Sequence, residues 1–139
     1  MQAKTTMKHF SISFFLARIA IGMSMFGHGL VRIPKLTQFA AGMSEKFQKS
    51  ILPDFLVAPF GYILPVAEFI IGLLILLGLF TRLSLIAGAL VMVTLIFGTS
   101  MIEDWGAIPS QLIHTAFFCI LLDQTEKAKT YSLDSAFEK

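Results

Sequence analysis

The sequence predicts an all-α integral membrane protein, a four-transmembrane-helix bundle that forms a single domain over residues 1–139. Of its 139 residues, 55% are hydrophobic and only 14% are charged, whereas about a quarter of the residues of a soluble domain are charged. Four apolar stretches, near residues 12–31, 57–79, 83–102 and 107–122, reach or approach the length that crosses a bilayer. A soluble helical protein is excluded because the second and third stretches are apolar on every side.

The first span contains a charged residue, Arg18, within its apolar run. Lys4 and Lys8 precede the run in the manner of a secretory signal. However, Arg18 interrupts the apolar core that a cleaved signal requires. We therefore expect this stretch to be retained as a transmembrane helix.

The long connection between the first and second spans predicts an amphipathic helix. Phe39, Met43, Phe47 and Ile51 recur every four residues, which is the spacing of one helical face. We expect this segment to lie on the outer membrane surface or to cap the bundle. The alternative is a plain helix packed against the bundle.

The second span carries Glu68 within a stripe of small residues. Gly61, Pro65, Glu68 and Gly72 are spaced by four, three and four residues, so they share one helix face. Small residues allow a neighbouring membrane helix to approach closely. The carboxyl group of Glu68 is therefore expected to face another helix.

Arg18 and Glu68 are predicted to be partners. A charge near the bilayer centre costs at least a few kcal/mol, so both side chains are expected to face the protein interior. At about 1.5 Å per residue, they lie about 10 Å and about 16 Å from the same membrane face. A flexible arginine side chain can bridge that difference. Two interpretations stay open, namely a pair that fixes helix register and a functional site.

The topology follows from the turns and the loop charges. The short segment Gly78–Arg82 predicts a tight turn that makes the second and third spans antiparallel neighbours. With four spans, this turn shares one side of the membrane with both termini. Because Lys and Arg favour the cytoplasm, both termini are predicted to be cytoplasmic. The basic residues on that side are Lys4, Lys8, Arg82, Lys127, Lys129 and Lys139, against Arg32, Lys35, Lys46 and Lys49 on the other.

The fourth span adds polar residues to the predicted pair. Gln111 and His114 share one stripe of this helix, and His28 lies near the outer end of the first span. Together with Arg18 and Glu68 they predict a polar pocket that opens outward. The alternative is that His28 lies among the lipid headgroups and His114 bonds a neighbouring helix. No metal site is predicted.

The segments Ala17–Gly22, Gly27–Gly29, Pro65–Gly72 and Gly78–Arg82 resemble the helix signatures of the DoxX family. The order Arg, Pro-x-x-Glu and Gly-x-x-Thr-Arg carries this resemblance, which extends over about 120 residues. It implies a small four-helix protein of the bacterial inner membrane, with Arg18 and Glu68 as the family's intramembrane polar pair. Some members are subunits of a thiosulfate:quinone oxidoreductase and others associate with redox-stress proteins. The expected role is therefore a quinone-linked or redox-associated accessory subunit.

The first functional hypothesis is a quinone site. His28, Gln111 or His114 would donate hydrogen bonds to the quinone carbonyls, and Glu68 would carry protons. The sequence contains no CxxC motif and no dinucleotide-binding glycine pattern. A partner redox protein or a bound cofactor would therefore supply electrons. A haem between His28 and His114 is disfavoured, because two histidines are its only signal.

Two other hypotheses stay open, and the sequence leaves undecided whether the protein is an enzyme. One is a non-enzymatic membrane scaffold for a partner protein. The other is a carrier of small molecules or lipids, in which a homo-oligomer would supply further helices. The lipid bilayer is the expected environment in each case. A nucleic-acid partner is excluded because the net charge is only +2 and no basic run is present.

Overall fold

The computed structural model describes residues 2–125 and 132–134, with side chains from Ser11 onward. Within these residues all the regular secondary structure is helical, so the predicted all-α class is confirmed for this part of the chain. A 3₁₀ turn, Ile33–Lys35, joins the first helix to the second. The helices are α1 (Gln2–Arg32), α2 (Leu36–Phe47), α3 (Asp54–Leu77), α4 (Thr81–Met101) and α5 (Ile108–Gln124).

Three segments of the described chain are long and apolar enough to cross a membrane. They are Ser11–Phe47, Asp54–Leu77 and Thr81–Met101. The fourth predicted span corresponds to α5, which has 17 residues and is less apolar. The cytoplasmic position of the termini stays a prediction. Three of the charges on which it depends, Lys127, Lys129 and Lys139, lie outside the described residues.

α1 and α2 together run antiparallel to α3. Gly29 of α1 lies against the backbone of Phe69. Beyond the 3₁₀ turn, Ala40 of α2 lies against Gly61, where an added Cβ would be 2.9 Å from the Ala40 Cα. The predicted helix between the first two spans is thus present. Its position matches the alternative of a helix packed against the bundle, because Ala40 packs on α3 and α2 therefore forms a wall of the bundle.

The small residues of α3 lie in the interface that their spacing predicts. Gly61, Pro65, Glu68 and Gly72 are all buried. A Cβ on Gly72 would overlap the backbone of Phe26 in α1. Glycine is therefore needed at this position for the close approach of the two helices.

The turn between α3 and α4 forms what we term the closed end of the bundle. Gly78 adopts φ +65° after the last residue of α3, and the N–H groups of Gly78 and Leu79 donate to the carbonyls of Ile75 and Leu74. These two bonds are the usual helix-ending pattern at a glycine. The apolar core lies behind this turn and contains Phe14, Ile21, Met25, Ile71, Ile75, Leu85, Met92, Phe118 and Leu121.

The C-terminal segment is attached to the same turn. The Asp134 carboxylate accepts hydrogen bonds from the N–H groups of Phe80 at 2.7 Å and Thr81 at 2.8 Å, so it caps the start of α4. Burial alone would raise the pKa of Asp134. The hydrogen bonds from Thr81 and Phe80, together with the positive charge of Arg18, outweigh that effect and lower the pKa of Asp134.

Candidate functional site

A cavity of about 740 Å³ lies between the helices, in the half of the bundle that carries the α4–α5 connection. Its floor includes Met25 and Met92, which also belong to the apolar core. The core therefore closes the cavity toward the turn between α3 and α4. Phe39, Met43 and Phe47 of α2 form one wall, so three residues of the predicted stripe face this cavity. The fourth, Ile51, lies beyond the end of α2 and is 85% exposed.

Glu68 lies at the floor of the cavity and is paired with Arg32. The Nη1 atom of Arg32 donates to Oε1 at 2.8 Å and to Oε2 at 2.6 Å, and the Glu68 side chain is only 1% exposed. The ring of Phe39 covers the guanidinium, with its centroid 4.8 Å from Cζ. These are short, charge-assisted hydrogen bonds. Loss of either partner would leave the other charge in a poorly hydrated place.

The predicted ion pair between Arg18 and Glu68 is wrong. The guanidinium of Arg18 instead lies against Gly78 at the closed end, where it is near the carboxylate of Asp134. Gly78 follows Glu68 by ten residues, which is about 15 Å along a helix. The predicted depth of Arg18 is too large because it takes residue 12 as the start of the first span. α1 begins much earlier, and the residues before Arg18 extend beyond the end of α3.

His28 lies on the same face of α1 as Arg32, because residues four apart share a helix face. Its Nδ1 atom is 3.9 Å from Glu68 Oε1, and its side chain is 52% exposed. That distance is too long for a hydrogen bond. His28 therefore interacts with the carboxylate as an ion pair only when the imidazole is protonated, and its ring otherwise faces the cavity.

His114 of α5 is held by two hydrogen bonds. Its Nδ1 atom is 2.8 Å from the Ser110 carbonyl oxygen, and its Nε2 atom is 2.8 Å from Ser24 Oγ. A carbonyl only accepts, so Nδ1 carries a proton, and an Nε2 atom without a proton accepts from the Ser24 hydroxyl. The rings of His28 and His114 are 6.4 Å apart. Coordination of a haem iron by Nε2 would have to displace Ser24, so this arrangement gives no support to the haem variant.

Gln111 lies one turn before His114 and lines the same cavity. The Thr99 Oγ1 atom is 3.0 Å from Gln111 Oε1 and 2.8 Å from the carbonyl oxygen of Leu95 in its own helix, so its single hydrogen is shared between these two acceptors. This contact joins α4 to α5. Whichever way the Gln111 amide is oriented, its NH₂ group keeps at least one hydrogen that is not directed at Thr99.

Four of the predicted polar residues thus line one cavity, namely His28, Glu68, Gln111 and His114. Arg32, which the loop-charge count assigned to the outer side, joins them in the place expected for Arg18. The sequence feature that indicates this position for Arg32 is its spacing of four residues from His28, which puts both side chains on one face of α1. The functional role of these side chains stays a prediction. No three His, Cys, Asp or Glu side chains converge on a potential metal site within the described part of the chain.

The chain matches the family model of DoxX over residues 13–101, which is more than half of its length. The match includes Arg32 and Glu68, and it ends before α5, so Gln111 and His114 lie outside it. No curated protein and no solved structure matches the chain.

Proposed function

The chain belongs to the DoxX family, and we propose that it is a redox-associated accessory subunit of the bacterial inner membrane whose cavity binds the headgroup of a lipid-soluble quinone. The observation that carries this proposal is the combination of a mostly apolar lining with a polar cluster around Glu68. At about 740 Å³ the cavity has the size of sites that enclose a small organic ligand.

The cavity walls suit the flat ring of a quinone. Phe39, Phe47 and Phe60 line the cavity, and aromatic side chains contact a planar ring over a large area. A quinone also presents two carbonyl oxygens that accept hydrogen bonds. Arg32 and Gln111 can donate to such oxygens, and Glu68 engages only one guanidinium nitrogen of Arg32.

The histidine on α1 supplies a route for protons. Reduction of a quinone to its quinol adds two electrons and two protons, and we assign the electrons to a partner redox protein. His28 is half exposed and lies 3.9 Å from Glu68. It can therefore exchange protons with water. Each proton would be donated by His28 to a quinone oxygen.

Equilibrium binding tests this proposal with the detergent-solubilised full-length protein and a benzoquinone that carries a ten-carbon chain. We expect saturable binding with one ligand per chain. Arg32→Lys keeps a positive charge beside Glu68 but loses the forked donor group. The variant should weaken binding about tenfold, the effect of losing one hydrogen bond to a charged group.

Arg82→Lys is the matched control, since Arg82 is exposed at the start of α4 and does not line the cavity. This variant should bind the quinone like the wild type. A lack of saturable binding, or an equal loss of affinity in both variants, would contradict the quinone site.

A non-enzymatic scaffold is the second candidate, and one observation favours it. Both carboxylate oxygens of Glu68 already accept a hydrogen bond from Arg32, and the pair joins α1 to α3. Such a pair can fix helix register without a ligand. A scaffold would bind no quinone, and Arg32→Lys would change only the amount of folded protein in the membrane.

A further inference from the structure

The side chains that both line the cavity and are exposed include Lys46 and Asp104 and, on two sides of the bundle, two further groups, the first of which is polar. His28, Gln38 and Ser110 line the cavity and are also exposed. They come from α1, α2 and α5, so this opening lies between α5 and the column formed by α1 and α2. Its polar rim suits water and protons.

The second side is apolar and lies between α3 and α4. Leu56, Thr94 and Phe97 line the cavity and are also exposed. Leu56 is 53% exposed and Phe97 is 54% exposed. The Thr94 hydroxyl donates to the carbonyl of Leu90 in its own helix at 3.0 Å. Its hydrogen is therefore already used, and this rim presents mostly hydrocarbon.

The apolar opening lies on the surface that faces lipid. Leu56 continues a row of exposed apolar side chains on α3 that includes Ile63 and Ile70. Phe97 continues the corresponding row on α4 with Leu90. In helices that cross a bilayer, such rows contact the hydrocarbon core. A molecule dissolved in the membrane therefore reaches the cavity at this gap without passing through water.

We propose that the gap between α3 and α4 is the path by which the hydrocarbon chain of the bound ligand extends from the cavity into the bilayer. This inference rests on the proposed function and narrows the ligand to a headgroup with one linear apolar chain, taken up from the membrane. The charged pair at Glu68 holds the polar end. A chain too long to be enclosed must leave the cavity, and the polar opening would expose its methylene groups to water.

A pair of neighbouring variants tests this path. Thr94→Phe adds an aromatic ring at the rim of the gap and leaves the polar cluster around Glu68 untouched. Val93→Phe is the matched control, because Val93 is 55% exposed on the same helix but does not line the cavity. Binding is measured with two probes, a dimethoxy-methyl-benzoquinone without a chain and the same ring with a ten-carbon chain. The elution profile and helix content of each variant show whether it is folded.

We expect Thr94→Phe to lower the affinity for the chain-bearing quinone at least about tenfold, which corresponds to the lost burial of about two methylene groups. Its affinity for the chain-free quinone should stay within about twofold of the wild type, which is within the scatter expected of a distant surface change. Val93→Phe should alter neither affinity.

Three results would overturn the path. They are equal effects of Thr94→Phe on both probes, no effect on either probe, and the same selective loss in Val93→Phe. If the chain-free quinone still binds in these cases, the proposed quinone site stands and only the path is wrong. If neither probe binds the wild type, the proposed function is wrong and the path is wrong with it.

Discussion

Arg32 stabilises the buried carboxylate of Glu68. Substitutions of these two residues should therefore have strongly coupled effects on the free energy of unfolding. Glu68→Gln preserves the size of the side chain but removes the negative charge beside the guanidinium. Loss of one partner from a buried pair costs about 3–5 kcal/mol. Because the Arg32 side chain is 28% exposed, water can partly compensate. The expected loss in the free energy of unfolding is therefore at the lower end, about 3 kcal/mol.

A double-mutant cycle separates this pair from the alternative partner. The double variant Arg32→Gln, Glu68→Gln contains no lone charge, so it should be about 2 kcal/mol more stable than the sum of the single changes implies. Arg18→Gln combined with Glu68→Gln is the matched cycle. Arg18 lies at the closed end, so these two effects should add to within about 0.5 kcal/mol.

The free energies are measured by unfolding the protein in mixed micelles with increasing amounts of a denaturing detergent, with helix content followed by circular dichroism. A coupling energy near zero between Arg32 and Glu68 would refute the pairing. A larger coupling between Arg18 and Glu68 would restore the arrangement expected from the sequence.

Three further predictions concern helix contacts and caps. Gly29→Ala should destabilise the protein by more than about 1 kcal/mol, because a Cβ there would overlap the backbone of α3. Gly27→Ala, with nothing within 4 Å of the added Cβ, should be neutral or stabilising in the same unfolding assay. Asp134→Ala should cost about 0.5–2 kcal/mol through the lost cap of α4, whereas Asp123→Ala, at an exposed position, should be nearly silent. Because the folded-state pKa of Asp134 is lowered, the contribution of its carboxylate to the free energy of unfolding is complete above the unfolded pKa of about 3.9. That contribution is lost as the pH falls through the folded pKa, so the stabilities of wild type and Asp134→Ala should converge at low pH. Ser24→Ala should cost about 1 kcal/mol by removing the hydroxyl that donates to the histidine of α5. Nitrogen NMR of that ring should then report a changed environment at Nε2, and an unchanged signal would contradict the bond.

The face of α3 that packs on α1 and α2 could be predicted from the sequence because its signal is local. Gly61, Pro65, Glu68 and Gly72 share one face whatever the rest of the bundle does. Their burial follows from the need of membrane helices for close contact. The same reasoning identified the stripe of Phe39, Met43 and Phe47 that lines the cavity, since a four-residue spacing defines a helix face before the helix has a position.

The ion pair could not be predicted because it depends on how α1 and α3 are aligned along their axes. A charged residue normally marks the end of an apolar span, so the sequence predicts a loop at Arg32. In the structure Arg32 instead donates hydrogen bonds to Glu68. Its charge is thus paired inside the bundle, and the chain continues through the 3₁₀ turn into α2. No pattern within α1 alone specifies this alignment. It is determined by the close contacts of Gly29 in α1 with Phe69 and of Gly72 in α3 with Phe26.

Photolabelling tests most directly whether the cavity is a quinone site. A benzoquinone with a photoreactive group on its ring is irradiated with the full-length protein in lipid vesicles, and the labelled peptides are identified by mass spectrometry. We predict saturable labelling of residues that line the cavity, such as Phe39, Phe60 and Leu64. An excess of unlabelled quinone should abolish this labelling. Labelling confined to the lipid-facing row of Ile63 and Ile70, or labelling that excess quinone does not reduce, would contradict the site.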